Sequence, residues 1–586
     1  MRTLEQQGDV AGPRFPVWIA TLAGFFGLLM AILPYLSWYQ VAHSSVWIEN
    51  IDEIQYLLHA SHAYYWHPFY LSDPTFASGG RSVYSWLQLV PAELLCKALG
   101  LHPIRFGLIL RILGGVALGF GWYALIWQHF RRPWVAFFGA VFLLTDSGWL
   151  QLRPFVRQWT ILASVLLHRS GEIFANNPSI HREWRIISPV AVLPFLLFYL
   201  WALRRSIDEP SRNRLICSGV AFGLLFYAYF YYWTAVGLAL PLGMALDRPR
   251  WRTYFHTGWI GLVVGIPELA TMLFAAQGGG SDWMRRNDEF LPIPRLSEHG
   301  HFLFSALLVI VTFIIVQRCS PRLLYLWCLC AAGFVMIHQQ LVTGLQLQNW
   351  HWAYLFASCM TLLVLLLAVT ALQHGGSWGR AAGKILVLAV IFNAAAGIYL
   401  RIAEAIWTKE TLRFSGANAN YEKQRNDGRH GPLDAGAVAG GTEEFVQFAM
   451  IDDHVVPLAA EYPVIWSASV SDSDLDRRVA LNAYLGGASR SQFEESQRWE
   501  LDHLQFGVEL RDPAKRAPRL QRRLAFFDQV TSNPAAAIQA FQVRYVALPA
   551  DSSHPEALGQ DWAVIQDGPS WKVWERHPAI VEPKVN

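Results

Sequence analysis

Again and again this chain returns to apolar stretches long enough to form helices buried on every side. They occupy residues 16–39, 104–127, 134–150, 189–203, 215–231, 233–246, 255–276, 302–316, 323–341, 352–372 and 385–407. About 20 apolar residues suffice for a helix to cross the hydrocarbon of a bilayer. Composition agrees: 53% of residues are hydrophobic and only 16% charged, where a soluble domain carries roughly a quarter. The chain reads as a polytopic α-helical membrane protein with about eleven transmembrane helices.

Basic residues orient these spans. A polar start with Arg2 and Arg14 precedes the first run, and no small-residue cleavage site follows it. The first run therefore reads as an uncleaved span with a cytoplasmic N-terminus. Cytoplasmic turns should then carry Arg and Lys. Every alternate turn does: Arg131-Arg132; Arg204-Arg205 with Arg212 and Arg214; Arg248, Arg250 and Arg252; Arg318 and Arg322; Arg380 and Lys384. Reading 215–246 as one helix would put Arg212/Arg214 and Arg248/Arg250 on opposite faces, so a hairpin near Tyr231-Tyr232-Trp233 is expected. An odd span count leaves everything after Trp407 outside, together with the loops 40–103, 146–188, 277–301 and 343–351.

Several function classes are excluded early. A net charge of +3 with segregated charges gives no nucleic-acid footprint, and no glycine-rich phosphate loop or dinucleotide fingerprint is present. The six cysteines lie in or beside apolar runs, which argues against a disulfide framework.

The outer loops carry the chemistry-bearing residues. Asp52-Glu53 follow the first span, with Tyr56, His59, His62, Tyr64, Tyr65, Trp66 and His67 behind them. Residues 81–100 show apolar residues at helical spacing and read as a helix lying in the membrane interface. The loop 146–188 holds Arg153, Arg157, Arg169, Arg182 and Arg185, a density that runs against the topological bias. Arginine binds phosphate bidentately, so a lipid-linked phosphate is a fitting partner; headgroup contact is the alternative. Asn349 and His351, between Trp350 and Trp352, have two readings: contact with a sugar or headgroup, or satisfaction of a helix end. Glu268, after Pro267, is a further carboxylate in the outer half of a span.

This arrangement resembles the GT-C superfamily of integral membrane glycosyltransferases. The resemblance covers a cytoplasmic N-terminus, one span, a long outer loop opening on an acidic pair, an interfacial helix, many further spans and a C-terminal outer domain. Uncharacterised bacterial members are similar in Arg185-Ile-Ile-Ser-Pro189 and in the aromatic run Tyr227–Thr234. It implies sugar transfer from a polyprenyl-phosphate donor to an envelope acceptor, at the outer face of a bacterial inner membrane. The catalytic base or metal ligand then falls on Asp52 or Glu53, assisted by Asp146 or Glu172. The arginines of 146–188 would grip the donor phosphate, and Tyr56, His59, Asn349 and His351 would contact substrate. A positioned carboxylate removes the acceptor's proton, and cations take up charge on the leaving phosphate. A divalent cation is optional, held by Asp52 and Glu53 if present. A lipid-linked saccharide transporter or flippase, which would carry internal repeats and mid-membrane charges, and a non-catalytic envelope assembly protein are the rival readings.

Residues 1–407 thus form the membrane domain, 408–441 a glycine- and alanine-rich linker, and 442–586 a small extracytoplasmic α/β domain. Strands are expected at 455–458, 463–466, 543–548, 562–565 and 571–575, and helices at 474–484, 492–504 and 519–530. Asp452-Asp453-His454 form a candidate metal-ligand set, and Asp472, Asp474 and Asp476 read as helix-start acids.

Overall fold

A computed structural model describes residues 15–49, 51–65, 87–145, 184, 189–277, 291–292, 302–343, 345–346, 349–429, 431–460, 470–503, 513–552, 558–559 and 561–577. Every expected apolar run coincides with a helix. These are α1 (Val17–Ala42), α4 (Phe106–Phe130), α5 (Pro133–Thr145), α6 (Leu193–Asp208), α7 (Arg212–Ala228), α8 (Phe230–Leu246), α9 (Trp251–Gln277), α10 (Phe302–Cys319), α11 (Leu324–Ile337), α12 (Asn349–His374) and α13 (Gly376–Trp407). Between α1 and α4 lie α2 (Ile51–Tyr65) and α3 (Val90–Ala98). Among the described residues, five helices are long and apolar enough to cross a membrane: Val17–Ala42, Pro103–Phe130, Phe302–Cys319, His351–His374 and Gly376–Ala403. Pro133–Thr145, Phe230–Leu246 and Pro321–Ile337 are shorter apolar helices. The protein is a multi-pass, mostly helical membrane protein.

The run at 215–246 is indeed two helices. The break falls at Tyr229, whose extended backbone (φ −165°, ψ 122°) ends α7 and starts α8. That is slightly earlier than the turn expected at 231–233.

Small residues let the helices approach closely. A Cβ on Gly27 of α1 would lie 2.0 Å from the Gly115 carbonyl oxygen of α4, and one on Gly119 would lie 2.1 Å from the Ala23 oxygen. Lipid tails are as apolar as leucine, so such backbone-to-backbone packing, rather than a hydrophobic gradient, holds membrane helices together. The same device joins α7 to α9, where Gly223 faces Val264 and Gly261 faces Phe222. Leu303, Leu307 and Ile310 of α10 stay exposed, as lipid-facing side chains do.

After α13 the structure departs from the expected linker. Lys409–Gln424 is a helix, α14, and Val438–Gly441 is a strand, β3. The buried face of α14 consists of Thr411, Phe414, Ser415, Asn418 and Tyr421, a stripe at helical spacing that is too polar to register as apolar periodicity. Strand β3 escaped notice because it ends in Gly440-Gly441. A Cβ on Gly441 (φ +101°) would lie 2.0 Å from the Ala547 oxygen, so glycine suits both the backbone and the space there.

Two short strands, β1 (Leu291–Pro292) and β2 (Leu345–Gln346), pair antiparallel. The C-terminal sheet has the order β4-β3-β5-β7-β6, with β4 (Val456–Pro457), β5 (Val543–Pro549), β6 (Trp562–Asp567) and β7 (Trp571–Arg576). β3 runs parallel to β4 and β5, whereas β7 runs antiparallel to both β5 and β6. The expected α/β character and four of the strands are present; residues 463–466 lie outside the described residues. Helices α15 (Glu443–Asp452), α16 (Asp472–Leu485), α17 (Arg490–His503), α18 (Pro513–Ser532) and α19 (Pro534–Ala540) complete the region. Asp472 and Asp474 do sit in the first turn of α16, capped by the Ser471 hydroxyl. Asp476 does something else: it is fully buried and ion-paired to Arg519, Arg522 and Arg523 of α18.

Candidate functional site

The acidic pair does not lie in an open loop; it opens a helix. Asp52 and Glu53 occupy the first turn of α2, where carboxylates complement the free N–H groups and positive end of the helix. The Glu53 side chain reaches back to accept the Glu49 backbone N–H at 2.8 Å, a close variant of the capping box. The side chain of Asp52 lies outside the described residues.

Glu53 is held from the other side by Arg111 of α4. The Arg111 guanidinium donates to Glu53 Oε1 at 2.6 Å, to Glu53 Oε2 at 2.9 Å, to Glu49 Oε2 at 2.9 Å and to the Tyr35 hydroxyl of α1 at 2.8 Å. Arg111 is fully buried, Glu53 is 1% exposed and Glu49 is 4% exposed. A paired fork of this kind is the geometry guanidinium offers and an ammonium does not. Burying such charges costs several kcal/mol per ion unless every partner is in place. The network therefore locks the start of α2 against α1 and α4.

Trp47 covers this cluster. Arg111 lies 4.7 Å from its ring on one contact and Arg401 of α13 lies 5.2 Å away on another. Arg401, also fully buried, lies 5.6 Å from Trp184. Trp184 in turn lines a small apolar cleft with Leu118, Trp122, Leu143, Leu144 and Leu193. The charged cluster and an apolar cleft are thus joined through Trp47, Arg401 and Trp184.

Arg111, Arg401, Glu49 and Tyr35 were not singled out from the sequence. A signal existed for two of them: each arginine interrupts an otherwise apolar run about two turns from its end, and charge there is a functional candidate by default. Their position near helix ends, rather than at mid-span, removes one feature the transporter reading would require.

The remaining candidates divide. Tyr56 is half-buried and His59 buried on α2, the same helix as the pair. Asn349 starts α12, and His351 in its first turn belongs to a second cluster at the α7/α8 break. There the His351 ring hydrogen-bonds the Tyr229 hydroxyl and stacks on Tyr231 at 4.2 Å, while Trp352 donates to the Thr234 hydroxyl at 3.1 Å. Asp146, Glu172, Arg153, Arg157, Arg169, Arg182 and Arg185 lie outside the described residues.

Two further carboxylates deserve placement. Within the segment 81–100, Val90–Ala98 is helical as α3, and its buried face carries Glu93, 1% exposed, with neither oxygen hydrogen-bonded among the described residues. Burial pushes the Glu93 carboxyl up to about 7, against the opposing pull of Lys97. Asp452, proposed from sequence as a metal ligand, instead pairs with Arg425 and lies 3.4 Å from His102. Among the described residues, no group of three His, Cys, Asp or Glu side chains is placed to hold a metal ion.

No family model matches the sequence, and no curated protein matches it. The structure of ArnT from Cupriavidus metallidurans bound to undecaprenyl phosphate does match in shape, with a TM-score of 0.51. The likeness covers 94% of this chain and 97% of that one, at 10% sequence identity. The chain shares the overall fold of that protein. The full-length coverage means that the C-terminal region belongs to the shared architecture rather than being an appendage.

Proposed function

We propose that this protein transfers a sugar from a polyprenyl-phosphate donor to an envelope acceptor at the outer face of the membrane. The observation that carries this reading is the buried clamp Arg111–Glu53–Glu49 fixing an acidic helix start beside an apolar cleft, in a fold shared with a structure that binds undecaprenyl phosphate. An amphiphilic donor needs both surroundings: apolar walls for isoprenoid and a polar end for phosphate and sugar.

Within this reading the acidic pair divides its labour. Glu53 is engaged by two donor contacts from Arg111 and by the Glu49 amide, so its role is to set the helix. Asp52, one residue earlier, is the base that takes the acceptor's proton, or a ligand of a divalent cation doing so through water. Arg153, Arg157, Arg169, Arg182 and Arg185 are the proposed phosphate contacts, with Asp146 or Glu172 assisting the base. Tyr56, His59, Asn349 and His351 are the proposed sugar contacts.

Binding tests the donor class directly. Undecaprenyl phosphate should bind the purified protein saturably and raise its Tm, whereas undecaprenol, lacking the phosphate, should not. Removing charge at Arg153, Arg157 or Arg185 should weaken that binding, and removing it at the exposed Arg205 should not. Equal stabilisation by both lipids would contradict a phosphate site.

A further inference from the structure

The segment that delivers the acidic pair is 44–49, which lies between α1 and α2 in neither helix nor strand. Its buried backbone groups need partners, because an unpaired buried amide or carbonyl is costly. They find them on α14, the helix after the last membrane helix. The Ile48 N–H donates to the Ser415 hydroxyl oxygen at 2.7 Å, and the same hydroxyl donates back to the Ile48 carbonyl at 3.1 Å. One hydroxyl thereby satisfies both backbone groups of one residue, as only a donor-acceptor side chain can. One turn earlier, the Thr411 hydroxyl donates to the Glu49 carbonyl at 3.3 Å. Ser415, Thr411 and Ile48 are all 0% exposed. A third contact, from the Ser44 hydroxyl to Glu422 at 3.5 Å, lies further along the same helix.

Positions 411 and 415 are four apart, so their side chains share one face of α14. That face replaces the neighbouring strand that segment 44–49 lacks. Glu49 is then fixed twice, by its carbonyl to Thr411 and by its carboxylate to Arg111, and Glu49's own N–H is taken by Glu53. From this geometry we infer that Ser415 and Thr411 are positioning residues for the acidic pair, so that α14 is a working part of the site rather than a tether. The functional consequence rests on the transferase reading above; the positioning itself does not.

Hydrogen–deuterium exchange of the full-length protein in lipid nanodiscs separates these. Ser415→Ala, and separately Thr411→Val, should speed amide exchange across residues 44–60 by about tenfold, as expected for a lost buried hydrogen bond. Exchange in α1 and α4 should stay within twofold. Ser415→Thr and Thr411→Ser keep the hydroxyl and should restore protection. Unchanged exchange over 44–60, an increase spread equally over α1 and α4, or no rescue by the hydroxyl-bearing variants would overturn the inference. Should Ser415→Ala not fold, the Thr411 pair decides by the same criteria. Activity provides a second reading: turnover of an undecaprenyl-phosphate sugar should fall about tenfold or more in kcat with KM within twofold, because small displacements at a reacting group are costly. Localised exchange with no turnover in any protein, wild type included, would retire the transferase reading and leave the positioning role standing.

Discussion

Arg111 anchors two carboxylates and a tyrosine, so its replacement should read as loss of structure rather than loss of chemistry. Arg111→Met leaves Glu49 and Glu53 buried without their cation, and breaking such a pair on one side costs roughly 3–5 kcal/mol. Arg111→Lys retains charge but not the fork, and should recover only part of that. Thermal melts of the three proteins check the order wild type, Lys, Met; a methionine variant as stable as wild type would contradict the clamp. Glu93 makes a prediction of opposite character. Its carboxyl sits near 7 because burial disfavours the charge, so its neutral form suits the fold. The stability it contributes is therefore present at low pH and lost as pH rises through about 7. Glu93→Gln is permanently neutral and should raise Tm above pH 7 while matching wild type near pH 5. A difference that is constant across pH would show that the Glu93 ionisation does not matter.

At the scale of helices, close packing makes a paired prediction. Gly119→Ala pushes a Cβ to 2.1 Å from the Ala23 oxygen, whereas Gly237→Ala in α8 meets nothing within 4 Å. The first should destabilise by about 1–3 kcal/mol as overpacking does, and the second should stabilise by roughly 0.5–1 kcal/mol, since alanine favours a helix interior over glycine. Unfolding of each variant in detergent measures the sign; equal effects would mean that α1 and α4 do not touch as described. These helices were legible from sequence because apolar runs and basic turns report directly on the membrane. Helices α2 and α14 were not. In α2 the polar start hid a helix whose stability comes from Arg111, a partner 58 positions away. In α14 the buried stripe of Thr411, Phe414, Ser415, Asn418 and Tyr421 is bonded rather than apolar, so hydropathy carried no signal. The acidic pair was legible by position alone. The division between Glu53 as anchor and Asp52 as proposed base needed the distances to Arg111. The metal reading of Asp452 failed because Arg425, distant in sequence, occupies it.

The whole molecule joins a membrane bundle, an acidic helix start that α14 braces, and a C-terminal α/β region that touches the far end of α2 through Ser61, whose hydroxyl donates to the Ile451 carbonyl at 3.0 Å. Such an assembly makes sense for chemistry at a membrane surface, where a lipid-borne donor and a separate acceptor must meet out of bulk water. The central claim is that Asp52 carries that chemistry while Glu53 holds it in place. Its most direct test is release of undecaprenyl phosphate from an undecaprenyl-phosphate sugar, in membranes containing the native acceptors, for wild type, Asp52→Asn and Glu53→Gln. The account predicts that Asp52→Asn folds and melts as wild type does yet loses about 10² to 10⁴ in rate, whereas Glu53→Gln loses stability as well as activity. Near-wild-type turnover by a correctly inserted Asp52→Asn protein would contradict it.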